Sequence, residues 1–210
     1  MGVNESDNDT RRRVREGHRE AFAQLYEDFA RAVYNHALRL TGDWSTAEEV
    51  MSETFLTAWR SRDRVQEEGG SLLPWLLGIA THKADNARRG ARRRQLFLAR
   101  QSPGTVEDFA ARTAGRIDDA RRLHAVQAAL GRLRRPEREV LVLCVWSGLD
   151  YQETAEALGI PVGTVRSRLS RARKKLARLA DESGREPGVR RGETTSAAAL
   201  AALPVREELT

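Results

Sequence analysis

The chain has 210 residues, 36 of them basic and 30 acidic, for a formal net charge of +6. Its single cysteine excludes an internal disulfide framework, and no apolar run approaches the length of a membrane span. Ala, Leu, Arg and Glu dominate over β-branched alternation, so the expected fold is all-α, in one domain or two small ones, and the basic balance suits a polyanionic partner.

Residues 1–15 are polar, with no apolar core of a secretory signal, and are expected to be a disordered start. Phe22, Leu25, Phe29, Val33, Ala37 and Leu40 then recur at spacings of three or four, the stripe of an amphipathic helix. Thr41-Gly42-Asp43 breaks it. Ser45 or Thr46 is placed to cap a second helix, with Glu48 and Glu49 in its first turn and Val50, Phe55 or Thr54, Ala58 and Trp59 facing inward. "SRDRVQEEGGSL" is charged, contains two adjacent glycines, and reads as a loop. Pro74 suits the first turn of the next helix, "PWLLGIATHKADNARRGARRR", which begins apolar and ends in an arginine run. Together these define a helical domain over residues 16–95.

Residues 96–118 mix Pro, Gly and polar side chains without a strong period and read as a flexible linker. A second helical domain is expected over residues 119–180. In it Leu123, Val126, Ala129 or Leu130, and Leu133 keep helical register. Pro136 opens the nearly continuous apolar run "PEREVLVLCVWSG", a central helix closed by Gly148. Cys144, inside that run, reads as a buried structural thiol in a reducing compartment. Residues 181–210, rich in Gly, Ala, Ser, Thr and Glu, are expected to be a disordered tail.

Between them lies "LDYQETAEALGIPVGTVRSRLSRARKKLARL". Asp150 and Glu153 have capping-box spacing, and Tyr151, Thr154, Ala155 and Leu158 follow as a short helix. Gly159 supplies a turn, and Pro161 opens a second helix. That is a helix-turn-helix. At about 100° per residue, Val165, Leu169, Ala172, Leu176 and Leu179 share one side of the second helix. Ser167, Ser170, Arg171, Lys174 and Arg178 share the other. Arg166 sits at the edge of the cationic face, and Arg168 and Arg173 flank the apolar stripe. From Gly163 to Lys175 there is no acid at all. Like charges on a solvated helix repel one another. Docking in a DNA major groove accounts for the pattern: arginines read guanine edges, small hydroxyl residues permit close approach, and flanking cations meet phosphates.

An enzyme is the first competing reading. His18, His36, His82 and His124 are scattered without metal-ligand spacing, and no phosphate loop or nucleophile motif is present. No catalytic residue, metal, cofactor or small-molecule substrate is therefore expected.

Read together, the two halves resemble the extracytoplasmic-function (group 4) sigma factors of the sigma-70 family. The resemblance rests on "FAQLYEDFARAVYNHALRLTGD", "AEEVMSETFLTAWR" and "PWLLGIATHKADNARRGARRR" in the first half. In the second it rests on Y-x-E-x-A-x-x-L-G-I-P-x-G-T-V-R-S-R-L-x-R-A-R. It covers roughly residues 18–95 and 119–179. It implies a cytoplasmic factor that binds core RNA polymerase, at the β′ clamp coiled coil and the β flap, and promoter DNA. It also implies an anti-sigma partner, since such factors commonly pair with one.

By the same resemblance, Glu48, Glu49, Ser52 and Glu53 meet the clamp; the family usually has Asp at 49 and Gln at 52. The loop "SRDRVQEEGGSLL" captures a flipped −10 base. Lys83, Asn86, Arg88 and Arg89 hold the −10 single strand, while Arg92, Arg93 and Arg94 meet upstream duplex phosphates. Arg166, Ser167, Ser170 and Arg171 face the −35 element, with Thr164, Arg168, Arg173 and Lys174 on phosphates. The competing assignment is a helix-turn-helix regulator that binds duplex DNA without being a polymerase subunit.

Overall fold

The computed structural model describes residues 2–101 and 126–185. Every element among them is helical. Helix α1 (Gly2–Glu16) turns at Gly17 (φ 83°) into α2 (Arg19–Thr41), followed by α3 (Trp44–Arg60), a 3-10 turn (Arg62–Arg64) and α4 (Leu73–Gln101). Helices α2, α3 and α4 pack pairwise as a bundle. Its core is Leu25, Val33, Ala37, Leu40, Val50, Phe55, Ala58, Leu76, Leu77, Ala80 and Ala84.

The second unit begins with a helical turn at 126–131. Helix α5 (Arg135–Leu141) follows and widens into a π-helical turn (Val142–Trp146), then α6 (Tyr151–Leu158) and α7 (Val162–Arg185). Val140 to Cys144 are buried throughout, as an apolar central helix requires.

Four sequence expectations change. Residues 1–15 form α1 rather than a disordered start. Val14 is fully buried, and Arg11 and Arg15 hydrogen-bond far along the chain, so the anchors are long-range contacts and not an apolar stripe. Asp43, not Ser45 or Thr46, caps α3: its Oδ1 accepts from the Thr46 backbone N–H at 2.7 Å and from the Thr46 hydroxyl at 2.6 Å. Helix α4 continues to Gln101, across the first six residues assigned to the linker. Helix α7 continues to Arg185, into the expected tail. The rest of the linker, 102–118, and of the tail, 186–210, lies outside the described residues, as does Leu123.

The two units are in contact. Helix α6 packs on α4, and the π-helical turn packs on α2. Gly78 makes the first contact possible: a Cβ there would stand 2.3 Å from the backbone oxygen of Ala157. The π turn delivers Ser147 to the second contact. There His36, fully buried in α2, joins Nδ1 to Ser147 Oγ (3.0 Å) and Nε2 to Thr81 Oγ1 (2.8 Å). From the second unit Gln127 donates to the carbonyls of Leu38 and Arg39, which close the end of α2.

Candidate nucleic-acid and polymerase interfaces

The helix-turn-helix is built by local chemistry. Asp150 Oδ1 accepts from the Glu153 N–H at 2.7 Å, and Glu153 Oε2 accepts from the Asp150 N–H at 2.9 Å, closing the capping box of α6. Gly159 takes the left-handed conformation (φ 63°, ψ 39°) and ends the helix. Thr164 N–H donates to Pro161 O at 2.8 Å in the first turn of α7.

On α7, Val165, Leu169, Ala172 and Leu176 are buried, and Leu179 packs against the same core. Arg166, Ser167, Ser170, Arg171, Lys174 and Arg178 are exposed. Thr164, Arg168, Arg173 and Lys175 are half-buried at the margins. Arg166 lies with its guanidinium 5.4 Å from the centre of the Tyr151 ring, an edge position held by a cation–π contact. The Ser167 hydroxyl donates to Thr164 O at 3.0 Å.

On α3, Glu48, Glu49, Ser52 and Glu53 are all exposed and share one face. Behind them Phe55 meets Phe22 and Tyr26 edge-on, and Phe22 also meets Trp59. Sequence reasoning passed over Leu56, which is 56% exposed in the middle of the acidic face. The cue was its position: three and four residues on from Glu53 and Ser52, on the side away from Ala58.

On α4 the predicted −10 residues divide. Lys83, half-buried, stands 3.3 Å from Glu53 Oε2. Asn86 and Arg89 are exposed and joined to each other, and Arg89 also pairs with Asp85 at 3.0 Å. Arg88 faces the second unit, half-buried, donating to Leu40 O at 3.0 Å. Arg92, Arg93 and Arg94 are exposed beyond it. Trp75 is half-buried and His82 exposed.

Asp85 and Arg88 belong to a charge cluster that bridges the units. Arg135 pairs with Asp85 at 3.0 Å and with Glu139 at 2.7 Å. Burial draws Arg138 down to about 10, with neighbouring Arg88 adding to the effect and Glu139 and Asp85 opposing it. The hydrogen bond to Glu139 instead raises Arg135. Burial also lowers Arg88 and Arg39. Cys144, 3.3 Å from the Thr154 hydroxyl, is pushed up by burial, the state of an inert thiol. Among the described residues no cluster of His, Cys, Asp and Glu has the makings of a metal site. No described helix is long and apolar enough to cross a membrane.

A bundle presenting an acidic helix and an arginine-tailed helix, joined to a helix-turn-helix, is the architecture of a two-region sigma factor. Residues 25–94 match Sigma-70 region 2, and residues 123–176 match Sigma-70, region 4. The chain is 32% identical over 160 residues to the ECF RNA polymerase sigma factor SigL of Mycobacterium tuberculosis, covering 76% of this chain and 89% of that one. It is 32% identical over 170 residues to the RNA polymerase sigma factor CarQ of Myxococcus xanthus, covering 81% and 95%. Its fold matches CnrH, solved in complex with the cytosolic domain of CnrY, with a TM-score of 0.63, 26% identity and coverage of 84% and 97%. It also matches the sigma factor RpoE of Bartonella quintana, solved in complex with the anti-sigma factor NepR, with a TM-score of 0.56, 26% identity and coverage of 76% and 96%. The chain belongs to the extracytoplasmic-function sigma factors of the sigma-70 family, which direct RNA polymerase to promoters.

Proposed function

We propose that this factor acts in the cytoplasm without catalytic chemistry of its own, reading −35 DNA with α7 and the −10 strand with α4 and the preceding loop. The observation that carries the reading is the exposed face of α7, with Arg166, Ser167, Ser170 and Arg171 outward and no acid among them. Arginine offers a planar fork to guanine O6 and N7, and the two serines keep the helix close to the base edges. Thr164, Arg168, Arg173 and Lys174 hold phosphates on either side.

Lys83, Asn86, Arg88 and Arg89 hold the melted −10 strand, and Glu48, Glu49, Ser52 and Glu53 meet the polymerase clamp. An acidic face suits a basic partner, because complementary charge steers association. Arg88 cannot hold DNA and Leu40 O at once, so −10 engagement requires its guanidinium to leave the carbonyl at the end of α2. An anti-sigma protein is the fitting regulator, since CnrH and RpoE are both solved with partner proteins, RpoE with the anti-sigma factor NepR.

The test is multi-round transcription by bacterial core polymerase on a genomic fragment library, with and without this protein. Discrete new start sites sharing −35 and −10 elements are expected. Arg171→Ala should then lower promoter affinity by about 5- to 150-fold and relax preference at one −35 position, leaving core binding intact. No stimulation, together with tight duplex binding by the protein alone, would favour a conventional helix-turn-helix regulator.

A further inference from the structure

Helix α1 lies ahead of the region 2 match, which begins at residue 25, and no role has yet fallen to it. Three of its side chains, Asn8, Arg11 and Arg15, are spaced i, i+3, i+7 and so form one stripe. All three reach the loop after the 3-10 turn. Arg11 donates from Nε to Gly70 O (2.6 Å), from one terminal nitrogen to Gln66 O (3.1 Å) and from the other to Ser71 O (3.2 Å). Arg15 donates to Val65 O at 2.8 Å and lies 3.5 Å from the Glu67 carboxylate. Asn8 Oδ1 accepts from the Gly69 N–H at 3.0 Å.

Five backbone groups between residues 65 and 71 are thus held by one helix face. The loop is also moulded to the guanidinium. Gly69 has φ 141°, and a Cβ there would come within 3.0 Å of Arg11 Cζ. With its backbone turned inward, the loop presents Gln66, Glu67 and Glu68 to solvent.

We infer that Arg11 is a positioning residue for −10 reading: it fixes the backbone of residues 65–71 in the shape that receives the flipped base. This rests on the loop's role in the proposed function. A guanidinium suits the task because its donors diverge in a rigid plane and can satisfy three carbonyls together, whereas an ammonium is a point charge. A preset loop spares the ordering cost of receiving a base that must already be unstacked.

The experiment uses holoenzyme reconstituted from core polymerase and the full chain, with promoters found in the fragment-library screen carrying every base at each −10 position. Hydrogen exchange of residues 65–71 is followed in parallel. For Arg11→Ala, faster exchange at the Gly69 amide is expected, with about tenfold loss of discrimination at one −10 position. Core affinity and −35 preference should stay unchanged. Arg11→Lys should recover part of the discrimination. Faster exchange with discrimination intact would overturn the inference, as would equal loss of core binding, −35 preference and −10 preference, which marks a general folding role. If the unaltered protein itself discriminates at no −10 position, the reading of the loop fails first.

Discussion

His36 shows how much one buried side chain can fix. The Thr81 hydroxyl has a single hydrogen, and it is donated to Leu77 O at 2.8 Å. Thr81 Oγ1 therefore accepts from His36, which places the imidazole proton on Nε2 and leaves Nδ1 to accept from the Ser147 hydroxyl. The neutral ring is satisfied on both sides, and a second proton has nowhere favourable to go. Burial, reinforced by Arg39, pushes the group down to about 3. The folded value lies below the unfolded one, so the unfolded state binds more protons between about pH 3 and 6.5, and stability falls as pH drops through that window. Going from pH 7.5 to 5.5 should cost on the order of 1 kcal/mol from this residue alone. Denaturant unfolding at the two pH values, compared with His36→Gln, measures it. An equal pH dependence in both proteins would remove His36 as the cause.

At the scale of elements, α6 is short, with eight residues, and a helix of that length depends on its ends and its packing. Asp150→Ala removes half of a reciprocal cap and should destabilise the second unit by about 1 kcal/mol. Thermal denaturation of the variant should show the loss, with α7 still competent for DNA at low temperature. This element was legible in the sequence because its signals are local: Asp150, Glu153, Gly159 and Pro161 lie within twelve residues. Helix α7 was legible too, since burial of Val165, Leu169, Ala172 and Leu176 follows the period of the sequence. Helix α1 was not. Its partners lie 50 to 61 residues away, and among its described side chains the buried apolar anchor is Val14. Periodicity cannot signal contacts of that range. The same holds for Arg88, whose position in an arginine-rich run gave no hint that it turns toward Leu40 O while Arg89 faces outward.

At the scale of the molecule, the linear reading gives two helical units and is silent on whether they touch; the structure brings them into contact across α4 and α6. Apolar alternation reports which face of a helix is buried, not which neighbour buries it. Gly78 sets how closely α6 can approach α4, since a Cβ there would stand 2.3 Å from Ala157 O. Because the atom a Cβ would meet is backbone oxygen, no side-chain rotation can relieve the overlap. Gly78→Ala should therefore push α6 away from α4 and favour a more extended molecule. Small-angle scattering should record a larger radius of gyration for the variant, with helicity by circular dichroism preserved. An unchanged radius would mean that the contact absorbs a methyl group by some smaller shift.

The contact between the π-helical turn and α2 also carries its own optical signal. The chain's tryptophans are Trp44, Trp59, Trp75 and Trp146, so only Trp146 belongs to the second unit. It is half-buried, with the Arg39 guanidinium of α2 5.8 Å from its ring centre. When the units part, this indole exchanges a cation and a protein wall for water, and its emission moves to longer wavelength. A chain with the other three tryptophans replaced by phenylalanine would report in real time, without any attached dye, whether polymerase or promoter DNA moves the two regions apart.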